Sequence, residues 1–146
     1  MKLPVNAKLL LPHRAPMLII DQLLDTDGTT GCAEAVFPQH CPFVVDENGK
    51  IDRLMLVELV AQSYAASKGY DDMALGKGVA LGYLVGMSDV TFYGDAYAGQ
   101  TLLINVRNTE QFDNFFYAVG TVYRGHELLL EMTLKIYIKS ENTSDT

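Results

Sequence analysis

"RLMLVELVAQSYAAS", residues 53–67, decides how this chain is read. It is apolar on nearly every side, yet Glu58 stands close to its middle. A surface helix gathers its polar residues into one stripe, and this segment does not. Leu54, Met55, Leu56, Val57, Leu59, Val60 and Ala61 leave almost no wet face. The expectation is a buried helix, with Glu58 either buried along with it or facing a cavity. An unpaired carboxylate in such a place costs several kcal/mol or takes up a proton. Glu58 is therefore either satisfied by a neighbour or kept for chemistry.

Around this segment the signals are those of an antiparallel sheet. "MLIIDQLLDT" (17–26) reads as a strand, "DTDG" as a turn, and "TGCAEAVF" (30–37) as the hairpin partner. "PQHCPFVVDENGK" (38–50) is polar and reads as a loop, with Asn48-Gly49 marking a tight turn. Asp52 is placed to cap the helix and Gly69 to end it, which predicts about sixteen residues, or roughly 24 Å. Segments 78–93, 100–112, 114–125 and 126–139 are rich in β-branched and aromatic residues and are parted by Gly, Asp and Asn turns. The order is two strands, one long helix, then three or four antiparallel strands. One sheet curled around a central helix buries such a helix, an α+β architecture. Residues 1–139 form a single domain in this reading, and 140–146 a solvated tail. The edge strands of such a sheet commonly pair with a second copy, so a homodimer is expected.

The bulk properties narrow the function. The chain has 146 residues, 49% hydrophobic and 20% charged, with a net charge of −7. One substantial core fits that length. The acidic balance and the lack of a basic patch argue against nucleic acid. The start, "MKLPVNAKLLLPHR", carries a three-residue apolar run and two prolines, so neither a signal peptide nor a membrane span is expected there, and cytoplasm is the default. Cys32 and Cys41 lack a CxxC spacing, and three scattered histidines do not complete a zinc site, so no metal is expected.

Three stretches together resemble the hotdog-fold 3-hydroxyacyl-[acyl carrier protein] dehydratases, and most nearly their aryl polyene and polyketide-type relatives. "LLPHRAPMLIIDQLL" (10–24) matches an opening LPHR-x-P before an apolar strand and an Asp. "LVELVAQ" (56–62) matches a central-helix pattern in which an acid is followed four positions later by Gln. "LVGMSDVTFYGDAYAGQTLLINV" (84–106) matches a strand-turn-strand carrying G-x-x-x-x-x-F. The resemblance covers roughly residues 10 to 138. It implies a hotdog fold and dehydration of a 3-hydroxyacyl thioester, carried on acyl carrier protein or coenzyme A, without a cofactor.

The chain departs from the family twice. The family's catalytic His in a GHFPG-type loop, followed by Pro-Gly, is replaced by "VVDENGKIDR", with Asp52-Arg53 at the Pro-Gly position. His13 in LPHR and His40 in the loop are left as candidate bases. The basic residues expected after the conserved Phe are absent, since Phe92 is followed by "YGDA".

Glu58 is the leading catalytic candidate, as the acid that protonates the departing hydroxyl, a role that burial favours by raising a carboxyl pKa. Gln62 lies one turn on, on the same helix face, and has no titratable proton, so it orients or polarises. Gly82 and Gly86 allow close approach of backbone or ligand, and Phe92 lies near the mouth of the family's acyl tunnel. Two other functions fit the same scaffold: a thioesterase using Glu58 to activate water, and a non-catalytic acyl-binding subunit.

Overall fold

The structure, a computed structural model, describes residues 2–76 and 82–139. Asp52 starts the helix as expected, its side chain accepting a hydrogen bond from Leu54 N at 3.0 Å. The helix, α1, runs Arg53–Ala74 and is flanked in sequence by strands β1 (Val5–Asn6), β2 (Gln22–Thr26) and β3 (Thr30–Val36) before it. After it come β4 (Gly82–Phe92), β5 (Thr101–Phe112), β6 (Phe115–Arg124) and β7 (Glu127–Ile138). All pair antiparallel in one sheet of order β1-β2-β3-β5-β6-β7-β4. The sheet curls around α1, which packs on β2, β3, β5, β6, β7 and β4.

The core between helix and sheet is built from the alternate inward residues of the strands and one side of α1. Leu56, Leu59, Val60 and Ala66 are fully buried against Ala33, Leu102, Ile104, Ala118, Val122 and Leu134. Each large side chain here stabilises the fold by about 1.5–3 kcal/mol. Two glycines let the helix sit this close. A Cβ on Gly120 of β6 would lie 2.2 Å from Val60 Cγ1, and one on Gly31 of β3 would lie 2.4 Å from Ser67 Oγ.

Three expectations need correction. α1 is not buried on all sides. Leu54 is 66% exposed, Ala65 is exposed, and Val57, Glu58 and Ala61 are half-buried. Spaced by three and four residues, they form one open stripe along the helix. Secondly, Gly69 does not end the helix. It is buried within it, the Lys68–Asp72 pair (2.8 Å) spans it, and an interior glycine costs only about 1 kcal/mol. The end comes at Gly76, whose φ of +69° suits glycine and whose N–H bonds Met73 O at 3.1 Å. Thirdly, β2 begins at Gln22 rather than Met17, because several backbone groups between Met17 and Ile20 bond the helix instead of a strand. The segment 78–81 of the expected fourth strand and the tail 140–146 lie outside the described residues.

Candidate active site

Gln62 is the pivot of the site. It is 2% exposed and its amide is engaged at every point. Oε1 accepts from Ile19 N (3.0 Å) and Ile20 N (3.4 Å), while Nε2 donates to Met17 O (2.7 Å) and Glu58 Oε1 (3.0 Å). Only one orientation of the amide satisfies two backbone N–H groups and one carbonyl together, so the Nε2 hydrogen must point at Glu58. The i, i+4 spacing read from sequence thus becomes a clamp: the strand-entry segment fixes Gln62, and Gln62 fixes Glu58. With its donors and acceptors used in this way, Gln62 positions Glu58.

The LPHR motif supports the same clamp. Arg14 Nη1 donates to Leu11 O (2.9 Å) and His13 O (2.6 Å), folding residues 11–14 into a turn. Met17 N and Leu18 N then bond Arg14 O at 2.9 and 3.1 Å, which aims the Met17 carbonyl at Gln62. His13 itself is half-buried and borders a cavity of about 360 Å³. Ala61 and Ala65, one and two turns beyond Glu58 on the open stripe, border it too, as do Tyr64, Lys68, Asp72, Leu84 and the β7 residues Leu134, Ile136 and Ile138.

His40 stands apart from His13. It is exposed and borders a different hollow of about 350 Å³, with Ala15, Pro16, Leu18, Ile19, Asp21 and Cys41. Burial pushes the Asp21 carboxyl up, opposed by the hydrogen bond from Val36 N at 2.7 Å. The two hollows share no residue. One chain therefore joins Glu58 to Gln62, places His13 on the cavity next along the helix, and leaves His40 on a separate surface.

The β4 candidates lie along one edge strand, away from Gln62's hydrogen bonds. Gly86 sits at a register shift in the β4–β7 ladder, and a Cβ there would meet Lys135 Cβ at an ordinary 3.7 Å. Gly82 opens the strand opposite Ile138. Phe92 is half-buried at the other end, with the Arg53 guanidinium 5.2 Å from its ring centre. Arg53 also binds Asp95 at 2.8 Å, and this bond, with Lys50 nearby, holds the Asp95 carboxyl below its usual range. Tyr64, Lys68 and Asp72 were missed by the reading of the sequence. Their spacing of four and four on the helix was the available signal.

Among the described residues no group of three or more His, Cys, Asp or Glu is placed to hold a metal ion, and no helix is long and apolar enough to cross a membrane.

One helix wrapped by a seven-stranded antiparallel sheet, with a carboxylate clamped on the open face of that helix, defines a hotdog protein. Its place within that fold is given by sequence: the model of the ApeP-like family, described as ApeP dehydratase, matches residues 5–145, and the chain belongs to that family. It is a dehydratase, acting on a hydroxyacyl thioester. Solved structures of similar fold include the dehydratase heterocomplex ApeI:P from Xenorhabdus doucetiae, at 20% identity and TM-score 0.81 over 97% of this chain and 94% of that one. An uncharacterized protein from Pyrococcus horikoshii is similar at 16% identity and TM-score 0.70, over 96% and 97%. A hypothetical thioesterase with coenzyme A from Streptococcus pneumoniae is similar at 10% identity and TM-score 0.65, over 83% and 87%. No curated protein matches the chain.

Proposed function

We propose that the chain converts a 3-hydroxyacyl thioester to the trans-2-enoyl thioester, with Glu58 as the general acid. A base removes a proton from C2, the C2–C3 double bond forms, and the C3–O bond breaks as Glu58 protonates the leaving hydroxyl, releasing water. The observation that carries this is the Gln62 clamp, which holds one Glu58 oxygen at 3.0 Å on the open stripe of α1. The base in this reading is a histidine. His13 borders the cavity that begins one turn past Glu58, whereas His40, exposed on its own hollow, is available to a second copy of the chain.

A homodimer fits these features. The Glu58 stripe and the exposed Leu84, Val85, Met87 and Val90 of β4, which among the described residues is an edge strand bonded to β7 alone, are apolar surfaces that a partner would cover. The similar ApeI:P assembly is a heterocomplex, in which the partner is a different protein rather than a second copy. We take the thioester carrier to be acyl carrier protein or coenzyme A and the site of action to be the cytoplasm, where free thiols such as Cys32 and Cys41 persist.

Glu58→Gln keeps the shape and loses the proton. Turnover is expected to fall by about two to four orders of magnitude with thioester binding retained. His13→Ala and His40→Ala, assayed alongside, identify the base by which of them falls comparably. A Glu58→Gln enzyme within a few-fold of the parent removes Glu58 from the chemistry. Free thiol without enoyl product would favour the thioesterase reading, and binding without turnover the acyl-binding subunit.

A further inference from the structure

The loop 95–100, between β4 and β5, holds none of the candidate site residues, yet it bonds to two segments that carry them. Towards α1, Ile51 N donates to Ala96 O at 2.9 Å and Ala98 N donates to Gly49 O at 2.8 Å. Ile51 is followed at once by Asp52, the cap of the helix that carries Glu58. Towards His40, Gly99 N donates to Phe37 O at 2.8 Å, and Gln39 Nε2 donates to Ala98 O at 3.3 Å. Gly99 makes this close approach with a φ of +85°, and a Cβ on it would lie 2.9 Å from Gln39 Nε2. The entry to the Glu58 helix and the entry to the His40 loop thus hang on the same short run of backbone.

The loop is held in turn by Arg124, the last residue of β6. Its Nη1 donates to Asp95 O at 2.7 Å and to Gln100 Oε1 at 3.1 Å, while Nη2 donates to Glu127. Gln100 Oε1 also accepts from Tyr97 N at 2.9 Å, so both of its lone pairs are used. One guanidinium therefore spans the two ends of the loop and supports the oxygen that fixes its middle. Arg53 and Lys50 reach the loop as well, at 2.8 and 3.6 Å, but only through the Asp95 side chain. Such partly exposed ion pairs contribute little. The bonds from Arg124 act on the backbone itself.

We infer that Arg124, which lines neither the His13 cavity nor the His40 hollow, is a positioning residue for the dehydration. Through residues 95–100 it sets the start of the Glu58 helix and the loop of His40 in a common geometry. The inference rests on the proposed function above and adds to it a residue remote from the substrate. A displacement of about 1 Å in a reacting group can cost on the order of a hundredfold in rate, so a modest shift of this loop should register in turnover.

The test compares full-length Arg124→Met, Gln100→Met and Gln100→Glu with the parent, at a temperature where circular dichroism shows each folded. Enoyl formation from a 3-hydroxyacyl coenzyme A thioester gives kcat and KM, and amide hydrogen exchange is read on the same preparations. In both Met variants kcat should fall by about tenfold or more with KM within about threefold. Gln100→Glu keeps the acceptor oxygen and should stay within about threefold of the parent. Exchange should quicken at the Ile51, Ala98 and Gly99 N–H groups in the Met variants and stay unchanged in β2 and β3, whereas a general loss of stability would quicken it throughout. A smaller fall of kcat in either Met variant overturns the inference, as does a Gln100→Glu protein that loses as much as Gln100→Met. If Arg124→Met does not fold, the two Gln100 variants decide on the same criteria. If the parent forms no enoyl product, the assigned reaction fails instead, and unchanged exchange at those three N–H groups then overturns the role given to Arg124.

Discussion

At the scale of single residues, the site is a chain of dependence rather than a set of independent side chains. Arg14 shapes the turn, the turn aims the Met17 carbonyl, that carbonyl and two N–H groups orient Gln62, and Gln62 holds Glu58. Tyr64, two turns along, gives this scale a pH signature. Its phenol ionises at about 12 in the folded chain, against the usual 10, because it is buried and faces the Asp72 charge. Between those values the folded chain holds a proton that the unfolded chain has lost. Its contribution is therefore complete below pH 10 and is lost as pH rises through about 12. Tyr64→Phe removes this loss. Denaturation of both proteins from pH 8 to 12 should show the parent losing up to about 2–3 kcal/mol more than the variant, nearly all of it above pH 10. Parallel stability curves across that range would mean that Tyr64 is not buried in this way.

At the scale of elements, the helix is held at its distance from the sheet by what β3 and β6 lack. Gly120 leaves no room for a methyl, since Val60 Cγ1 would stand 2.2 Å from it. Val60 is fully buried and, as a β-branched residue in a helix, has little freedom to turn away. Gly120→Ala should therefore destabilise the fold by about 1–3 kcal/mol. Val60→Ala in the same chain should recover part of the loss, since the two sites share one contact. Chemical denaturation of the two single variants and the double gives the coupling. Strictly additive effects would show that α1 does not seat on β6 at this point. Glu58 is carried on the same helix, so a lifted helix would also disturb activity.

At the scale of the whole molecule, a single chain leaves two apolar surfaces in water, the Leu54–Ala65 stripe and the exposed Leu84, Val85, Met87 and Val90 of β4. Specific interfaces bury on the order of 1,000 Å² or more, and such surfaces invite one. Sedimentation at micromolar concentration should give a stable dimer. Met87→Lys, placed on the exposed face of β4, should weaken it by introducing a charge where apolar contact is expected. A stable monomer at that concentration would count decisively against the homodimer, and would leave His40 without a route to Glu58 from a second copy.

Much of this was written locally. Asp52 announced the helix start because a cap needs only its own side chain and the next two residues. Asn48-Gly49 marked its turn because a positive φ, here +81° at Gly49, is a property of one residue. The order of strands and helix followed from composition and turn residues along the chain, and the Glu58–Gln62 pair from their i, i+4 spacing. What depended on distant residues was not legible. Gly69 reads as a helix end, yet Lys68 and Asp72 bridge it and the helix continues. Met17–Ile20 read as strand, yet Gln62, more than forty positions later, takes their backbone groups out of the ladder. The open stripe of α1, the separation of His13 from His40, and the buried Tyr64 Oη and Asp72 Oδ2 without hydrogen-bond partners are all products of how the sheet closes around the helix. Caps, turns and repeats are short-range interactions and leave their mark in adjacent letters. Which face is covered, and which polar atom finds no partner, is decided only when segments remote in sequence are packed together.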